Sequence, residues 1–459
     1  MEKTDYTDAH NEANFTINEL FFSITRKDST ILSGNEVFVR ISGYTKQELI
    51  GSFHNIIRHP DMPKIIFKTL WDYLNADKPI VAYVKNRAKS GEYYWVLAAI
   101  FPRDDRYISI RIKPTTQIFT AVRELYSELL IAENSGGMEE SGKMVSDTLY
   151  ALGYKDYDQF MSDALLQELQ ERKRLVVSTS LKEENVASAS PLLLQLKSAY
   201  EYTNMLMNEY DVWFDEISTF IQTKLILEEK SLLLRQVARE IVFLSLNASV
   251  SSYKVINGGE TFGILARDIR INAKENDTLI DHIDTIVHRL SDSLNAMVFS
   301  VAGMRLQIET VTYFIKELLC KECDVSSDEI SESMGALIAL VTEYSAKLNT
   351  LQTQIDRQLQ ETLMELDQLE QQMMYLGYIQ VYGLIESAGY RNETVSFEGI
   401  FSQLKTLIQR TSQEINTMQK IGESFYTENR LLMEKSQRSV IVLERLHETM
   451  AAIKEKVEH

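Results

Sequence analysis

The segment HNIIRHPDMP, residues 54–63, places two imidazoles, a guanidinium and a carboxylate close together in the chain. A guanidinium can hold a phosphate through two parallel hydrogen bonds, and either His54 or His59 could serve as an axial ligand of a haem iron. His59, Pro60 and Asp61 could also form a structural turn in which Asp61 caps a helix starting at Met62. This segment therefore predicts a binding site.

The other candidate motifs carry less chemistry. Cys320 and Cys323 have CxxC spacing, but one pair of cysteines cannot complete a tetrahedral zinc site, and we expect no metal site. The sequence contains no phosphoacceptor box, no cyclase signature and no glycine-rich nucleotide or nicotinamide loop. We therefore expect a protein that is not an enzyme; a flavin oxidoreductase is the enzymatic alternative.

Charge is distributed unevenly along the 459 residues. Residues 1–117 carry 16 Lys and Arg against 14 Asp and Glu; the whole chain carries 48 against 66, which leaves 32 against 52 for the remainder. This acidic remainder argues against nucleic acid as a partner, because phosphate binding needs a basic face. Two cysteines, no basic-then-apolar leader and no apolar run of about 18 residues predict a cytosolic protein without a membrane span.

The elements that must position the 54–63 segment are short. A helical stretch is predicted at VFVRISGYTKQEL (37–49), before Gly51. Strands are predicted at LFFSIT (20–25), IVAYVKNR (80–87), EYYWVLAAIF (92–101) and YISIRIK (107–113). Because the turns between the last three strands are short enough for antiparallel hairpins, we predict an α+β domain over residues 1–116.

The rest of the chain is typical of long helices. The last proline is Pro191, and the following 268 residues contain none. Apolar seams with steps of three and four residues, at 279–318 and 337–376, predict a coiled coil or long helical bundle; a compact globular helical domain is the alternative. We predict a connector at 117–191, which contains helices at 117–133 and 157–175, a gap at ENSGGMEESG and a linker at 178–191. It is followed by a hairpin at 192–319, a connection at 320–326 and a second hairpin at 327–459.

The long helical half is duplicated. A shift of 135 residues places the polar break near Asn257 over the break near Asn392, and each break is flanked by arms of about 60 residues. Four arms with apolar seams can bury one another at shallow crossing angles. We therefore predict an all-α four-helix bundle within one chain, with the turns at 255–261 and 390–396 side by side. The competing arrangement pairs the extended hairpins of two chains.

Three segments of the first domain, FVRISGYTKQELIG (38–51), HNIIRHPDMP (54–63) and VKNRAKSGEYYWV (84–96), follow one another in a familiar order. In that order and spacing, residues 15–116 resemble the PAS domain of bacterial aerotaxis receptors. Asn35 matches the usual PAS asparagine, Ser42-Gly43-Tyr44 the usual turn and Glu48-Leu49 the usual short helix. The resemblance implies a five-stranded antiparallel sheet with flanking helices and a non-covalently bound FAD.

In that family the motif residues line the flavin pocket. The resemblance therefore implies a cofactor-contacting set of Asn35, Arg58, His59, Asp61, Trp71 and Asn86. A flavin ring needs a flat apolar slot with a few polar groups: Trp71 could stack on it, Asn86 could offer a donor and an acceptor, and Arg58 could hold the pyrophosphate. Trp71 could instead belong to the core, and haem or no cofactor are the alternatives. No cysteine precedes Cys320, which excludes the cysteine–flavin adduct of blue-light sensors.

Residues 243–276, FLSLNASVSSYKVINGGETFGILARDIRINAKEN, resemble a degraded signalling tip of a methyl-accepting chemotaxis protein. The retained residues are Leu246, Asn247, Ala248, Phe262, Ala266, Asp268 and Arg270, whereas the E-A-A-R stretch is replaced at 251–254. The second copy keeps 385–388 but has Gly389 in place of the arginine. The resemblance implies protein partners, either a chemotaxis kinase and its adaptor or chemoreceptors; the altered tip leaves coupling to the kinase open.

Together these features predict a cytosolic redox, energy or oxygen sensor of the aerotaxis type. A change in flavin state would shift Asn86 and the central strands, and the shift would pass through the helix at 117–133 into the bundle. The alternative is a cofactor-free or haem-binding PAS scaffold that docks a partner through its helical bundle.

Overall fold

The computed structural model of this chain describes residues 12–176, 191–253, 259–320, 327–388 and 397–455. Most of the predicted linker at 178–191 lies outside these residues. So do residues 255–258 of the first predicted turn, the whole second turn at 390–396, and residues 321–326 of the predicted connection.

The first domain contains one five-stranded antiparallel sheet, which confirms the predicted α+β fold. Its strands are β1 (Leu20–Arg26), β2 (Ile31–Gly34), β3 (Ile80–Arg87), β4 (Tyr93–Arg103) and β5 (Arg106–Ile112), in the order β2-β1-β5-β4-β3. Between β2 and β3 lie α1 (Glu36–Ser42), α2 (Lys46–Leu49), a 3-10 turn (His54–Ile57) and α3 (Lys64–Asn75). The four-residue β2 is too short to show an alternating pattern, and we did not predict it as a separate element.

The predicted helical stretch at 37–49 divides at Gly43 into α1 and α2. Gly43 has φ 69°, in the left-handed region that favours glycine, and its N–H donates to the carbonyl of Val39. Thr45 then starts α2 with a capping box: its hydroxyl accepts from the Glu48 N–H, and the Glu48 carboxylate accepts from the Thr45 N–H. This turn sets the direction in which the chain enters the 54–63 segment.

The sheet is buried on both faces, so β1, β3 and β5 show nearly continuous burial instead of alternation. The inner face is covered by α1, the 3-10 turn and α3; Phe21 of β1 stacks on Phe38 of α1 with ring centroids 5.8 Å apart. The outer face is covered by helices that follow later in the chain, where Phe22 meets Phe314 at 5.0 Å. The two faces therefore belong to two different cores.

Helices α4 (Gln117–Ala151) and α5 (Tyr157–Leu175) form the connector. The gap predicted at ENSGGMEESG is a break at one residue, Gly137, whose φ of 76° and ψ of −168° interrupt the helical geometry of α4. Residues on both sides of the break, including Leu125 and Leu149, line one cavity of about 360 Å³. The two parts of α4 therefore face each other across this cavity.

Two carboxylates of the connector cap helices of the first domain and of the connector itself. Glu133 accepts hydrogen bonds from the first N–H groups of α3, including that of Ile65 at 2.8 Å. Glu168 is fully buried and accepts from the Thr116 hydroxyl at 2.7 Å, just before α4, and from the Tyr83 hydroxyl at 3.1 Å. The Glu133 bonds satisfy N–H groups that have no partner within α3 and attach the connector to that helix, and the bond from Tyr83 to Glu168 attaches it to β3.

The remaining helices are α6 (Pro191–Ser252), α7 (Gly259–Cys320), α8 (Ser327–Ala388) and α9 (Phe397–Glu455). Backbone contacts divide the chain into two compact units. The first comprises Met1–Phe214, Val298–Leu348 and Ser436–His459, and the second comprises Asp215–Met297 and Asn349–Lys435. Each unit contains segments of all four helices.

Within the second unit the four segments pack around one another, which confirms the predicted helical bundle. Consecutive neighbours are joined by Ser231 with Asp284 (α6–α7), Arg289 with Glu361 (α7–α8), Asp367 with Gln419 (α8–α9) and Phe220 with Phe425 (α6–α9). That the bundle forms within one chain and not between two stays a prediction of the duplication. Among the described residues, no helix combines the length and the apolar composition needed to cross a bilayer.

The predicted apolar seams are buried except at Leu279, which is half-buried at the start of the first seam, and at Leu351. In the second seam Leu351 is half-buried, whereas the adjacent Gln352 is fully buried. The backbone carbonyl of Gln352 accepts a hydrogen bond from the buried Asn429 amide of α9 at 3.0 Å. A polar layer therefore displaces the seam by one residue at this point, which apolar periodicity alone does not indicate.

Phe262 and Phe397 stack beside the predicted turns, with ring centroids 4.0 Å apart, at the starts of α7 and α9. Both rings are buried. We predict that Phe262→Ala destabilises the second unit by about 3–5 kcal/mol, because it removes a buried ring and leaves a cavity. Thermal unfolding and hydrogen exchange of the adjoining helix ends measure the effect.

Ile264→Ala is the matched control, because Ile264 lies two residues further along α7 and is exposed. We expect its effect to stay within about 0.5 kcal/mol. Equal destabilisation by the two substitutions would contradict a role for the stacked pair in holding the helix starts together.

Candidate functional site

Polar side chains lie on the inner face of the sheet, between apolar neighbours. Asn86 of β3 is paired with Tyr94 of β4, and Ser109 of β5 is paired with Ser23 of β1. Arg111 is paired with Ala98, four residues after Tyr94. Because side chains alternate between the faces of a strand, these residues share one face. We call this polar set, Ser23, Asn86, Tyr94, Ser109 and Arg111, the inner polar face.

Arg111 lies at the centre of the inner polar face and contacts the 3-10 turn. Its guanidinium donates to the Ser23 hydroxyl at 3.0 Å and to Nε2 of His54 at 2.7 Å. A guanidinium can only donate, so Nε2 of His54 accepts and the imidazole proton lies on Nδ1. Burial, and then the charge of Arg111, hold the pKa of His54 well below its usual value, while burial lowers the pKa of Arg111 to about 10. His54 is therefore neutral.

Three atoms of the inner polar face are buried without a hydrogen-bond partner among the residues that the structure describes. They are Nδ2 of Asn86, the hydroxyl of Tyr94 and the hydroxyl of Ser109. Burial raises the pKa of Tyr94, which keeps its hydroxyl protonated and able to donate. An unpaired buried polar group costs about 1–3 kcal/mol, so native structures contain few of them. A ligand with a polar edge would find three hydrogen-bonding groups here.

The predicted site residues at 58–61 form a turn beside the end of β3. The guanidinium of Arg58 is exposed and lies over the Phe67 ring, 4.0 Å from its centroid. Nδ1 of the buried His59 accepts from the Asp61 N–H at 3.1 Å, and the Asp61 carboxylate pairs with the buried Lys85 at 3.0 Å. The backbone of Arg58 forms an isolated antiparallel bridge with Asn86. The turn is thereby attached to the strand that carries Asn86.

The alternative in which Asp61 caps a helix from Met62 is wrong. The helix α3 begins at Lys64 after Pro63, and no side chain of the residue that precedes it caps its start. Glu133 supplies that cap from the connector. Because Asp61 forms an ion pair with Lys85, its carboxylate stabilises the turn against β3.

Asn35 occupies the N-cap position of α1 but makes no capping hydrogen bond. Its Oδ1 accepts from the Phe22 N–H at 3.2 Å, and its Nδ2 donates to the Leu20 carbonyl at 3.2 Å and to the Glu317 carboxylate at 3.1 Å. Asn35 is buried. This predicted site residue therefore braces β1 and also contacts α7.

The half-buried Trp71 of α3 lies beside Tyr107 on the inner side of the sheet, with ring centroids 6.1 Å apart. Of the predicted set, Trp71 and Asn86 thus lie at the inner side, Arg58, His59 and Asp61 form the adjoining turn, and Asn35 braces the β1 edge. The structure therefore distributes the six residues over three neighbouring places.

Sequence reasoning missed Arg111, Tyr94, Ser109 and Lys85 as site residues. Arg111 and Lys85 each interrupt an apolar strand, YISIRIK and IVAYVKNR respectively. A charged residue inside such a strand is a usable signal, because an unpaired charge is rarely buried. Glu133 and Glu168 gave no local signal, since their partners lie more than 50 residues away.

Residues 31–112 match the PAS fold family. Together with the five-stranded antiparallel sheet, this match shows that the N-terminal domain is a PAS domain. The domain is 45% identical, over 112 residues, to the aerotaxis receptor of Escherichia coli strain K12; the match covers 23% of this chain and 22% of the receptor. The chain thus spans about a fifth of that receptor's length.

A longer and weaker similarity extends into the helical region. The chain is 18% identical over 328 residues to the biofilm dispersion protein BdlA of Pseudomonas aeruginosa, which covers 70% of this chain and 66% of that protein. Among solved structures, a light-oxygen-voltage domain studied with a flavin analogue is 18% identical and has a TM-score of 0.22, covering 24% of this chain and 88% of that chain. The light-oxygen-voltage domain of an Erythrobacter litoralis histidine kinase is 15% identical, with a TM-score of 0.20, covering 20% and 94%.

The neutral, buried His54 predicts a dependence of stability on pH. The folded state keeps the imidazole unprotonated, whereas the unfolded chain takes up a proton below about pH 6.5. The unfolded state then binds more protons, so acidification from about pH 7.5 to 5.5 should destabilise the PAS domain. His54→Gln should reduce this loss by up to about 1.4 kcal/mol for each pH unit below 6.5.

Denaturant unfolding of both proteins at the two pH values measures this difference. His288→Gln is the control, because His288 is exposed and belongs to the second unit, whereas the PAS domain belongs to the first. Parallel profiles for the wild type and His54→Gln would show that the folded protein accommodates a charged imidazole beside Arg111.

Proposed function

We propose that this chain is a cytosolic redox sensor of the aerotaxis type, in which a flavin on the inner polar face controls the helical bundle. The similarity of the PAS domain to an aerotaxis receptor supports the class of protein. The observation that carries the proposal is the group of unpaired polar atoms on Asn86, Tyr94 and Ser109. A flavin ring has a polar edge beside a flat apolar surface, which fits this face. Following the resemblance, the flavin is FAD.

The residues of the PAS domain have distinct roles in this proposal. Asn86 would donate to the ring, Trp71 would pack against it, and the exposed Arg58 at the rim would bind the pyrophosphate. Arg111 would favour a negative charge on the inner face, because its own charge is buried there. When bound, a flavin supplies one- and two-electron redox chemistry. Asn35, His59 and Asp61 would position the surrounding backbone through the bonds described above.

The response of the chain would begin at β3, the edge strand that carries Asn86. The backbone carbonyls of Val81 and Tyr83 on this strand accept hydrogen bonds from Tyr157 at 3.1 Å and Tyr126 at 2.9 Å. Both tyrosines belong to the connector. A new position of Asn86 would displace β3 and change the contacts of α4 and α5, which is the differential contact that a two-state switch requires.

Haem is the weaker alternative on the same residues. Nε2 of His54 already accepts from Arg111, so iron at that nitrogen would displace the guanidinium and leave two cations close together in a buried site. Nδ1 of His59 accepts from the Asp61 N–H, which places the proton of a neutral imidazole on Nε2 and removes that lone pair. A bound flavin would require neither displacement of Arg111 from His54 nor another tautomer of His59.

The purified protein should be yellow, with oxidised-flavin absorbance bands and FAD released on denaturation. Asn86→Leu removes a buried donor of similar size, and we expect it to weaken flavin affinity by roughly 5- to 150-fold, about 1–3 kcal/mol. Trp71→Ala and Arg58→Ala should also lower occupancy. Absorbance and fluorescence titration with FAD measure these changes.

Arg87→Ala is the matched control, since Arg87 is the next residue of β3 and is exposed. It should bind flavin as the wild type does. A Soret absorbance band in place of the flavin bands would favour the haem alternative. A colourless protein that takes up neither cofactor would favour the scaffold alternative.

The output side of the proposal lies on the second unit, near the predicted turns. Exposed apolar side chains follow one face of α6 at Phe243, Leu246 and Val250, and Tyr253 is exposed directly after its end. On α8 they follow one face at Met374, Tyr378, Val381 and Ile385. Neither 241–253 nor 371–385 contains a charged residue. Exposed apolar surface of this kind marks protein interaction sites. We propose a chemotaxis histidine kinase or its adaptor as the partner, in line with the chemoreceptor-like tip.

Tyr378→Asp should abolish binding of the purified kinase–adaptor complex of the same organism, because it places a charge in the middle of the apolar stripe of α8. Met364→Asp is the control, since Met364 is also exposed on α8, four turns earlier. Binding is measured by biolayer interferometry on the full-length chain. Unchanged binding by Tyr378→Asp would exclude this surface as the contact.

A further inference from the structure

The PAS domain contacts α7 and α8 directly, without passing through the connector. All of these contacts lie within the first unit, where the outer face and the β2 edge of the sheet meet the end of α7 and the start of α8. The contacting pairs are Phe22 with Phe314 at 5.0 Å, Phe101 with Tyr344 at 5.3 Å, and the hydroxyls of Ser33 and Ser333 at 3.0 Å. Because these rings and hydroxyls are buried, the PAS domain is docked on these helix ends.

One hydrogen bond of this docking contact starts from a residue of the proposed cofactor set. Nδ2 of Asn35 donates to the carboxylate of Glu317 on α7 at 3.1 Å, and the same nitrogen donates to the Leu20 carbonyl of β1. Its Oδ1 accepts from the Phe22 N–H, and the Phe22 ring packs against Phe314. The position of Asn35 therefore affects two contacts with α7, one polar and one aromatic.

We propose that Glu317 is a positioning residue that holds the PAS domain docked on α7 and α8, and that reduction of the cofactor weakens this docking. The inference rests on the proposed function. Negative charge gained on the inner side of the sheet would compete with the Glu317 carboxylate for the N–H groups of Asn35 and would repel that carboxylate. The docked and undocked states are the two populations whose ratio would carry the signal into the bundle.

The neighbouring ion pair provides a matched comparison. Arg106 of β5 contacts Glu332 of α8 at 2.7 Å, and both side chains are substantially exposed. Exposed ion pairs contribute little, whereas a hydrogen bond to a carboxylate in a part-buried contact is stronger than a neutral one. Loss of Glu332 should therefore leave the docking nearly unchanged, while loss of Glu317 should weaken it.

Hydrogen exchange on the oxidised and dithionite-reduced full-length protein tests the docking. In the wild type, reduction should raise exchange at 303–320 and at the β1–β2 edge by roughly tenfold or more, the scale expected for loss of one charge-assisted hydrogen bond. Glu317→Ala should show this faster exchange already when oxidised. Glu317→Gln keeps an acceptor oxygen, and its exchange rates should lie closer to those of the wild type. Glu332→Ala should exchange as the wild type does.

The flavin midpoint potential provides a readout that a merely structural role would not move. If reduction favours the undocked state, then a variant in which docking is already weakened must be easier to reduce, because coupling between two equilibria is reciprocal. Glu317→Ala should therefore raise the midpoint potential, and Glu332→Ala should leave it unchanged. Equal potentials and equal exchange for these two variants would overturn the proposal.

The failure of this inference can be told apart from the failure of the proposed function. A flavin-containing protein whose exchange at 303–320 is identical in both redox states would overturn the role of Glu317 and leave the flavin sensor intact. A protein without flavin absorbance would overturn both.

Discussion

The outer face of the PAS sheet has to be covered, and this requirement determines how the PAS domain is joined to the rest of the first unit. Phe22, Ile24, Phe101, Ile108 and Ile110 on this face are almost completely buried. Apolar burial is worth about 25 cal/mol for each Å² removed from water, so exposing five such side chains would cost several kcal/mol. The connector and the ends of α7 and α8 provide the cover. The sheet is therefore part of a core that it shares with the helices.

Buried charges give this shared core a defined register. Arg172 of α5 donates to the Glu309 carboxylate of α7 at 2.8 Å and to the Glu19 carbonyl before β1, and Arg305 links the same carboxylate to Asp211 of α6. Burial raises the pKa of Glu309, but the charges of Arg172 and Arg305 outweigh it, and the pKa is lowered. Removing one member of such a network leaves an uncompensated charge, at a cost of about 3–5 kcal/mol. The network therefore opposes sliding of α5, α6 and α7 past one another.

Much of the architecture could be predicted from the sequence because it follows from periodicity. The strands at 80–87 and 107–113 and the seams of α7 and α8 depend on the spacing of apolar residues, which local sequence displays. Glu133 and Glu168 could not be predicted, because a cap contributed from a distant helix follows from tertiary packing. Within the candidate site, the motif at 54–63 could be recognised from local sequence, but the contact between Asn35 and Glu317 could not, because it joins residues 282 positions apart.

The two faces of the sheet differ in how readily their side chains can rearrange. The inner polar face contains unpaired hydrogen-bonding groups that a ligand can engage without breaking an existing bond, whereas the outer face is apolar and packed against rings that tolerate little displacement. The two faces are separated by a single residue along β1, since Phe21 points inwards to Phe38 and Phe22 points outwards to Phe314. A strand held in a ladder of hydrogen bonds cannot shift one of these residues alone. A small rearrangement on the inner side must therefore be accommodated at the outer contact with α7, over a distance of one residue.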